Sequence, residues 1–386
     1  MLVFLRLGCT SFGGPIAHLG YFQKELVERR RWCSEATLAE IIAVAQSLPG
    51  PASSQTGFAL GILRAGWLGG VAAWIGFTLP SAALMLAFAY GNSVLVGATA
   101  DRLLHGLEVV AVAVVAQAVL AMRRVLAPDR VRAAFAIVAT ALVLFAPARI
   151  STLIAIAGGA GAGFLLFRKS EYPTEEDIML RVPRGAGIAA AAAFMALLAL
   201  LPLCAHYVTL PGMALFSAFY QSGALVFGGG HVVLPLLENA VVAPGWVTQQ
   251  AFLAGYGAAQ ALPGPLFSIG AYLGAVAQSG RHPLAFGLVG LVGIFLPGLL
   301  AMTAVLPFWS SLRRNRPIQA ALRGVNASVV GILTAALYQP LWTSTIRTPI
   351  DFWLALCAFA MLTLWKVQPW IVVVCMAAAS IFLNHR

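Results

Sequence analysis

The sequence predicts an all-α polytopic membrane protein built from two inverted-topology repeats, each with re-entrant or broken helices, and one connecting transmembrane helix between them. Three observations carry this prediction. Of 386 residues 60% are hydrophobic and 10% charged, with a mean hydropathy of +0.88, a balance suited to hydrocarbon and not to a core folded in water. The hexapeptide Gln46-Ser47-Leu48-Pro49-Gly50-Pro51 returns as Gln260-Ala261-Leu262-Pro263-Gly264-Pro265, each copy inside a long apolar stretch. Loops at equivalent places in the two copies carry opposite amounts of positive charge.

Apolar runs at 67–90, 131–147, 150–167, 186–208, 284–307 and 369–383 bracket the roughly 20 residues that a transmembrane helix needs. The stretches 38–48 and 52–63 are shorter, each about 17 Å as helix, barely half of a roughly 30 Å hydrocarbon core. They read as two legs of a re-entrant hairpin with Pro49-Gly50-Pro51 at its tip. The segments around Phe12-Gly13-Gly14-Pro15 and Phe227-Gly228-Gly229-Gly230 read the same way, giving four hairpins and nine full spans.

The repeat extends beyond the hexapeptide. Phe12-Gly13-Gly14 returns as Phe227-Gly228-Gly229, Trp32 as Trp246, Leu79-Pro80 as Leu296-Pro297 and Gly106 as Gly324. The first repeat therefore covers residues 1–167 and the second 210–386. Between them, 168–209 holds a charged cytoplasmic loop and one unpaired helix. An odd helix between homologous halves turns the second upside down. The charges agree: residues 23–35 hold Lys24, Arg29, Arg30 and Arg31, whereas 238–246 hold no Lys or Arg. Conversely, 92–105 hold Arg102 alone, whereas 309–323 hold Arg313, Arg314, Arg316 and Arg323.

The net charge of +11 lies in such short loops, the positive-inside signature of cytoplasmic segments. No basic face interleaved with aromatics indicates a nucleic-acid partner. The five cysteines are scattered without a CxxC, so no metal site, cofactor or disulfide framework is expected. Arg6 interrupts the first apolar run, and no cleavable signal is expected there.

A hairpin tip starts its second leg with unpaired N–H groups and about half a positive charge, a ready anion site. Pro51 and Pro265 suit the first position of that leg, where a missing N–H costs nothing. Pro15, Pro49 and Pro263 complete the set of helix breaks. The candidate ligands are Gly13, Gly14, Gln46, Gly50, Ser53, Ser54 and Gln55 in the first repeat, with Gly228, Gly229, Gln260, Gly264 and Ser268 in the second. Arg6, an ionisable residue in a hairpin leg, joins them. Converging tips would form a cage of neutral donors, suited to a tetrahedral oxyanion that must be released as well as bound. A cation would recruit inward carboxylates, and Glu40 and Glu108 are the only acids read as well placed inside apolar stretches. Glu108 and His231 are the candidates for proton coupling. Each has a plainer reading: Pro-Gly kinks and Phe-Gly-Gly segments also serve close packing, Ser53 and Ser54 also cap helices, and Arg6 also snorkels.

With Leu7-Gly8 through Ser11-Phe12-Gly13-Gly14-Pro15, Glu28-Arg29-Arg30-Arg31-Trp32, Leu48-Pro49-Gly50-Pro51 with Ser54-Gln55, and, in the second half, Leu225-Val226-Phe227-Gly228-Gly229-Gly230-His231, Gly245-Trp246-Val247 and 260–267, the chain resembles the chromate ion transporter family in its long, two-domain form. The resemblance implies proton-coupled chromate efflux across a bacterial plasma membrane, conferring chromate resistance, with sulfate as a related anion. Chromate or a sulfate-like oxyanion and the lipid bilayer are then the expected partners, and a homodimer is left open. Two departures stand out. Arg6 has Gln221 as its second-half counterpart, and the second tip continues Leu266-Phe267-Ser268 where the first has Ala52-Ser53-Ser54-Gln55. Uptake or exchange of sulfate is the alternative. A membrane enzyme is more remote, because no nucleophile elbow, phosphate loop or metal-ligand cluster is legible.

Overall fold

The computed structural model describes residues 1–94, 98–146, 148–167, 182–207, 210, 212–227, 230–277 and 282–383. Helices α1 (Leu2–Thr10), α2 (Gly14–Phe22), α3 (Glu35–Ser47), α4 (Ala52–Val94), α5 (Ala98–Leu126), α6 (Arg130–Phe145) and α7 (Ala148–Phe167) form the first half. Helix α8 (Arg184–Tyr207) follows. The second half comprises α9 (Met213–Ala224), α10 (Val233–Val241), α11 (Gln249–Ala261), α12 (Ile269–Ala277), α13 (Pro283–Val305), α14 (Trp309–Arg314), α15 (Arg316–Ala336), α16 (Thr343–Thr345), α17 (Pro349–Thr363) and α18 (Pro369–Leu383). No strand occurs among the described residues.

Among the described residues, six helical segments are long and apolar enough to cross a membrane. Exposed Leu68 and Leu79 on α4, Ile137 and Phe145 on α6, Leu165 and Leu166 on α7, and Met195 and Leu200 on α8 would be untenable in water. They are at home against acyl chains. The six apolar runs named above are helical over most of their length, but α6, at 16 residues, and α17 and α18, at 15 each, fall below the length of a full perpendicular crossing.

Corresponding helices begin in the same way. Ser34 caps α3 by accepting from the Thr37 N–H at 3.1 Å, and Thr248 caps α11 by accepting from the Ala251 N–H at 3.2 Å. Each cap is worth about 1 kcal/mol. Both helices end on an extended leucine, Leu48 or Leu262, which delivers the chain to the Pro-Gly-Pro turn. The leg beyond the first turn is limited by a break inside α4, where Ala65 and Gly66 leave helical geometry. The chain there reverses, and the second part of α4 is one of the full spans.

The halves interlock reciprocally. Helix α5 packs on α17 and α18 of the other half, and its counterpart α15 packs on α6 and α7. Small residues allow the close approach of α15 to α7, where a Cβ on Gly324 would collide with the Gly159 carbonyl. The aromatic side chains of Phe4, Phe22 and Phe77 knit α1, α2 and α4 into one core. A larger core surrounds α11, α12 and α13.

Candidate anion site at two crossed helix tips

Gly50 and Gly264 have φ of 118° and 98°, left-handed backbone that only glycine adopts without strain. Each tip is tied to the other half by a backbone hydrogen bond. The Gly50 N–H donates to the Val226 carbonyl and the Gly264 N–H to the Ser11 carbonyl, both at 2.8 Å. Val226 and Ser11 immediately precede the two Phe-Gly-Gly segments, so the tip of each half meets the break of the other. Each tip also abuts the other half's Leu-Pro helix. A Cβ on Gly50 would lie 2.7 Å from Gly298 Cα, next to Pro297, and one on Gly264 would lie 2.9 Å from Ser81 Oγ, next to Pro80. Paired contacts of this kind, each the image of the other, are what a two-fold relation produces.

Pro51 and Pro265 sit one position earlier than the sequence suggests. The Gln55 N–H donates to the Pro51 carbonyl at 3.0 Å and the Ser268 N–H to the Pro265 carbonyl at 3.0 Å, which makes both prolines N-caps of their legs. A missing N–H is equally harmless there, because the N-cap contributes only its carbonyl to the helix. The second leg opens with a 3₁₀ turn, Leu266–Ser268, before α12. Pro15 lies in the first turn of α2, behind Gly13 and Gly14, both at positive φ.

The first repeat supplies most of the polar groups at the two crossings. Gln55 Nε2 donates to the Pro49 carbonyl at 2.8 Å and the Gly298 carbonyl at 2.9 Å, which engages both amide hydrogens and clasps the tip to α13. Gln55 thus holds the tip, and only its Oε1 is unpartnered. His18 Nδ1 lies 3.3 Å from Ser53 Oγ, tying α2 to the start of α4, and the ring stands edge-on to Phe77. Ser11 Oγ, His18 Nε2, Ser54 Oγ and Thr78 Oγ1 are buried without a hydrogen-bond partner. A buried polar group left alone costs about 1–3 kcal/mol, so four of them around one pair of crossings are groups that a polar ligand would satisfy.

In the second repeat His231 Nδ1 lies 2.8 Å from Tyr256 Oη, one helical turn before Gln260. Gln260 is half-buried, Ser268 buried and Gln46 exposed. Gly228 and Gly229 lie outside the described residues. Arg6 is exposed and lies apart from the tips, on a cavity of about 550 Å³ shared with Lys24, Arg29, Glu25 and Glu28. Bonds from Arg30 and then Arg29 hold the Glu25 carboxyl below its usual range. This cavity mixes signs, whereas the groups named at the crossings are all neutral donors and acceptors or histidine.

Glu108 makes none of the tip contacts. Its Oε2 lies 3.3 Å from His105 Nδ1, and His105 Nε2 lies 2.8 Å from Asp351 Oδ1. Glu108 is 2% exposed and Asp351 1%, so the sequence reading of Glu40 and Glu108 as the only inward acids needs correction. Asp351 was missed because it stands in Thr348-Pro349-Ile350-Asp351, a sequence suited to a capping box at a helix start. It is one, with the Asp351 N–H donating to Thr348 Oγ1 and the Thr348 N–H to Asp351 Oδ2. Its second oxygen is turned inward. Ser11 and Thr78 were also missed, although both adjoin repeated motifs, Phe12-Gly13-Gly14 and Leu79-Pro80.

A family model described as "Chromate transporter" matches residues 1–164 and 213–381. The chain is 29% identical to the chromate transport protein of Pseudomonas aeruginosa over 97% of this chain and 89% of that one. It is 29% identical to the probable chromate transport protein of Synechococcus elongatus over 98% and 94% of the two chains. An uncharacterized transporter of Methanocaldococcus jannaschii is 23% identical over 96% and 86%. No solved structure matches.

Proposed function

The chain belongs to the chromate transporter family, and from that premise we propose that it is a secondary active transporter, not an enzyme, that exports chromate from the bacterial cytoplasm across the plasma membrane, coupled to protons or a counter-anion. The observation that carries the reading is the reciprocal crossing of the Gly50 and Gly264 tips with the Val226 and Ser11 carbonyls, beside the unpartnered Ser11, His18, Ser54 and Thr78. Chromate, a tetrahedral dianion, offers four acceptor oxygens to these hydroxyls and to the positive N-terminal end of α4. Donors without fixed positive charge bind it loosely enough to let it go.

The two repeats are inverted in this reading. The reciprocal contacts support a two-fold relation, and the opposite loop charges put its axis in the membrane plane. A site on that axis can face either side when one half rocks against the other. Arg6, with Lys24 and Arg29, gathers the anion at the mouth on the cytoplasmic side, ahead of the tips.

Sulfate shares chromate's shape and charge, and a cage of hydroxyls and backbone N–H groups reads only those two properties. Sulfate exchange is therefore the second reading, and one assay addresses both. Inverted membrane vesicles containing the protein should accumulate chromate above protein-free background when a proton gradient is imposed, and sulfate should compete. Vesicles that stay at background would overturn the efflux reading; accumulation of sulfate in preference to chromate would establish the alternative.

A further inference from the structure

The buried string Glu108–His105–Asp351 is not explained by anion binding at the tips. It joins the two halves, because His105 and Glu108 stand on α5 and Asp351 opens α17. A neutral imidazole has one N–H donor and one lone pair. Here both ring nitrogens face a carboxylate oxygen, at 3.3 and 2.8 Å. With both carboxylates ionised and the ring neutral, one oxygen would meet a lone pair. The arrangement therefore calls for one more proton, either on the ring as imidazolium or on a carboxyl that donates to it. The nitrogens point in opposite directions, so the three groups are strung in a line and do not converge on one metal ion. Glu108 Oε1 is buried and unpartnered, leaving an acceptor from which a proton can arrive or depart.

Other charged groups nearby are few. Asp101 and Arg102 precede His105 on α5. Arg347, ahead of α17, is exposed and spends its Nε on the Ser344 carbonyl. Helix α15, also packed on α5, carries Arg316 and Arg323 toward the end opposite its junction with α16, and Lys366 follows α17 at its far end. Of the remaining elements packed on α5, α11 and α18 offer only Tyr256 and Cys375, the turn before α16 offers Tyr338, and α17 itself adds Cys357.

We propose that Glu108–His105–Asp351 is the proton-binding strut of the transporter, carrying the exchanged proton between the halves at a place separate from the anion path. The proposal rests on the transport reading above. When the proton binds, each ring nitrogen donates to one carboxylate and α5 is tied to α17. When the proton leaves to water, one of the two bonds is lost, and loss of the one to Asp351 unties α5 from α17. By the loop charges, this end of α5 faces away from the cytoplasm, which is where protons driving export would enter.

The test uses purified full-length protein in liposomes with a lumenal pH dye. Wild type should couple chromate flux to a lumenal pH change, whereas Glu108→Gln should lose proton flux at least tenfold and retain chromate counterflow, which needs no net proton movement. Proton flux per chromate equal to wild type in both Glu108→Gln and His105→Gln would overturn the strut. Absence of counterflow in wild type would instead refute the transport reading, and a cargo-free measurement then still decides the strut. In detergent, the slope of the thermal midpoint against pH from about 6.5 upward should be more negative in wild type than in Glu108→Gln, because the proton that stabilises the folded string is lost there. Asp351→Asn serves for the same comparison if the first variant does not reach the membrane. An unchanged slope would overturn the proposal.

Discussion

At the scale of single residues, the two tip glycines are the positions with least freedom. A side chain on Gly50 is opposed twice, by a φ of 118° and by the backbone of Gly298, which cannot yield as a flexible side chain could. The backbone strain alone is about 1–3 kcal/mol. Gly50→Val should therefore cut transport at least tenfold at equal membrane level, judged by vesicle assay and immunoblot, whereas Gly20→Ala should transport as wild type, because a Cβ at Gly20 meets nothing within 4 Å. Equal activity in the two variants would count against the tip geometry. The sequence already made these glycines legible, because a Pro-Gly-Pro turn in lipid needs a reason. It did not reveal the division of labour beside them. Ser53, Ser54 and Gln55 read as three equivalent donors, yet Gln55 is spent on the Pro49 and Gly298 carbonyls, Ser53 faces His18, and Ser54 alone has a free hydroxyl. Such a split depends on a contact to a residue far along the chain, which no local pattern encodes.

At the scale of elements, the apolar runs anticipate α6, α7, α8, α13, α18 and the second part of α4, because burial in lipid is written into composition, whereas α5 and α15, also long and apolar enough to cross, are not among those runs. The helix starts were legible too: Ser34 and Thr248 occupy matching places and cap matching helices. What composition hid was the polar use of helix ends. Asp351 caps α17 with one oxygen and reaches His105 with the other, so a residue that looks structural also belongs to a buried titratable string. The pairing of α5 with α17 and α18, and of α15 with α6 and α7, is equally invisible along the chain, since it joins residues from opposite halves.

At the scale of the whole molecule, the repeat explains why a short motif occurs twice and why each copy needs the other. Neither tip is closed by its own half; each is closed by the break of the partner half, so the site forms only when both repeats assemble. Inversion, as proposed above, would let this arrangement present one site to two compartments. Reporter fusions at Asn92 and Arg314 should accordingly lie on opposite sides of the membrane, and finding both on one side would refute inversion. The central claim, that the crossed tips hold the anion, is tested most directly by calorimetric titration of chromate into the purified protein and its Ser54→Ala variant. A hydrogen bond to a charged ligand is worth about 1.5–3 kcal/mol, so the variant should bind at least tenfold more weakly than wild type with its thermal stability no lower. Equal affinity in the two proteins would contradict the account.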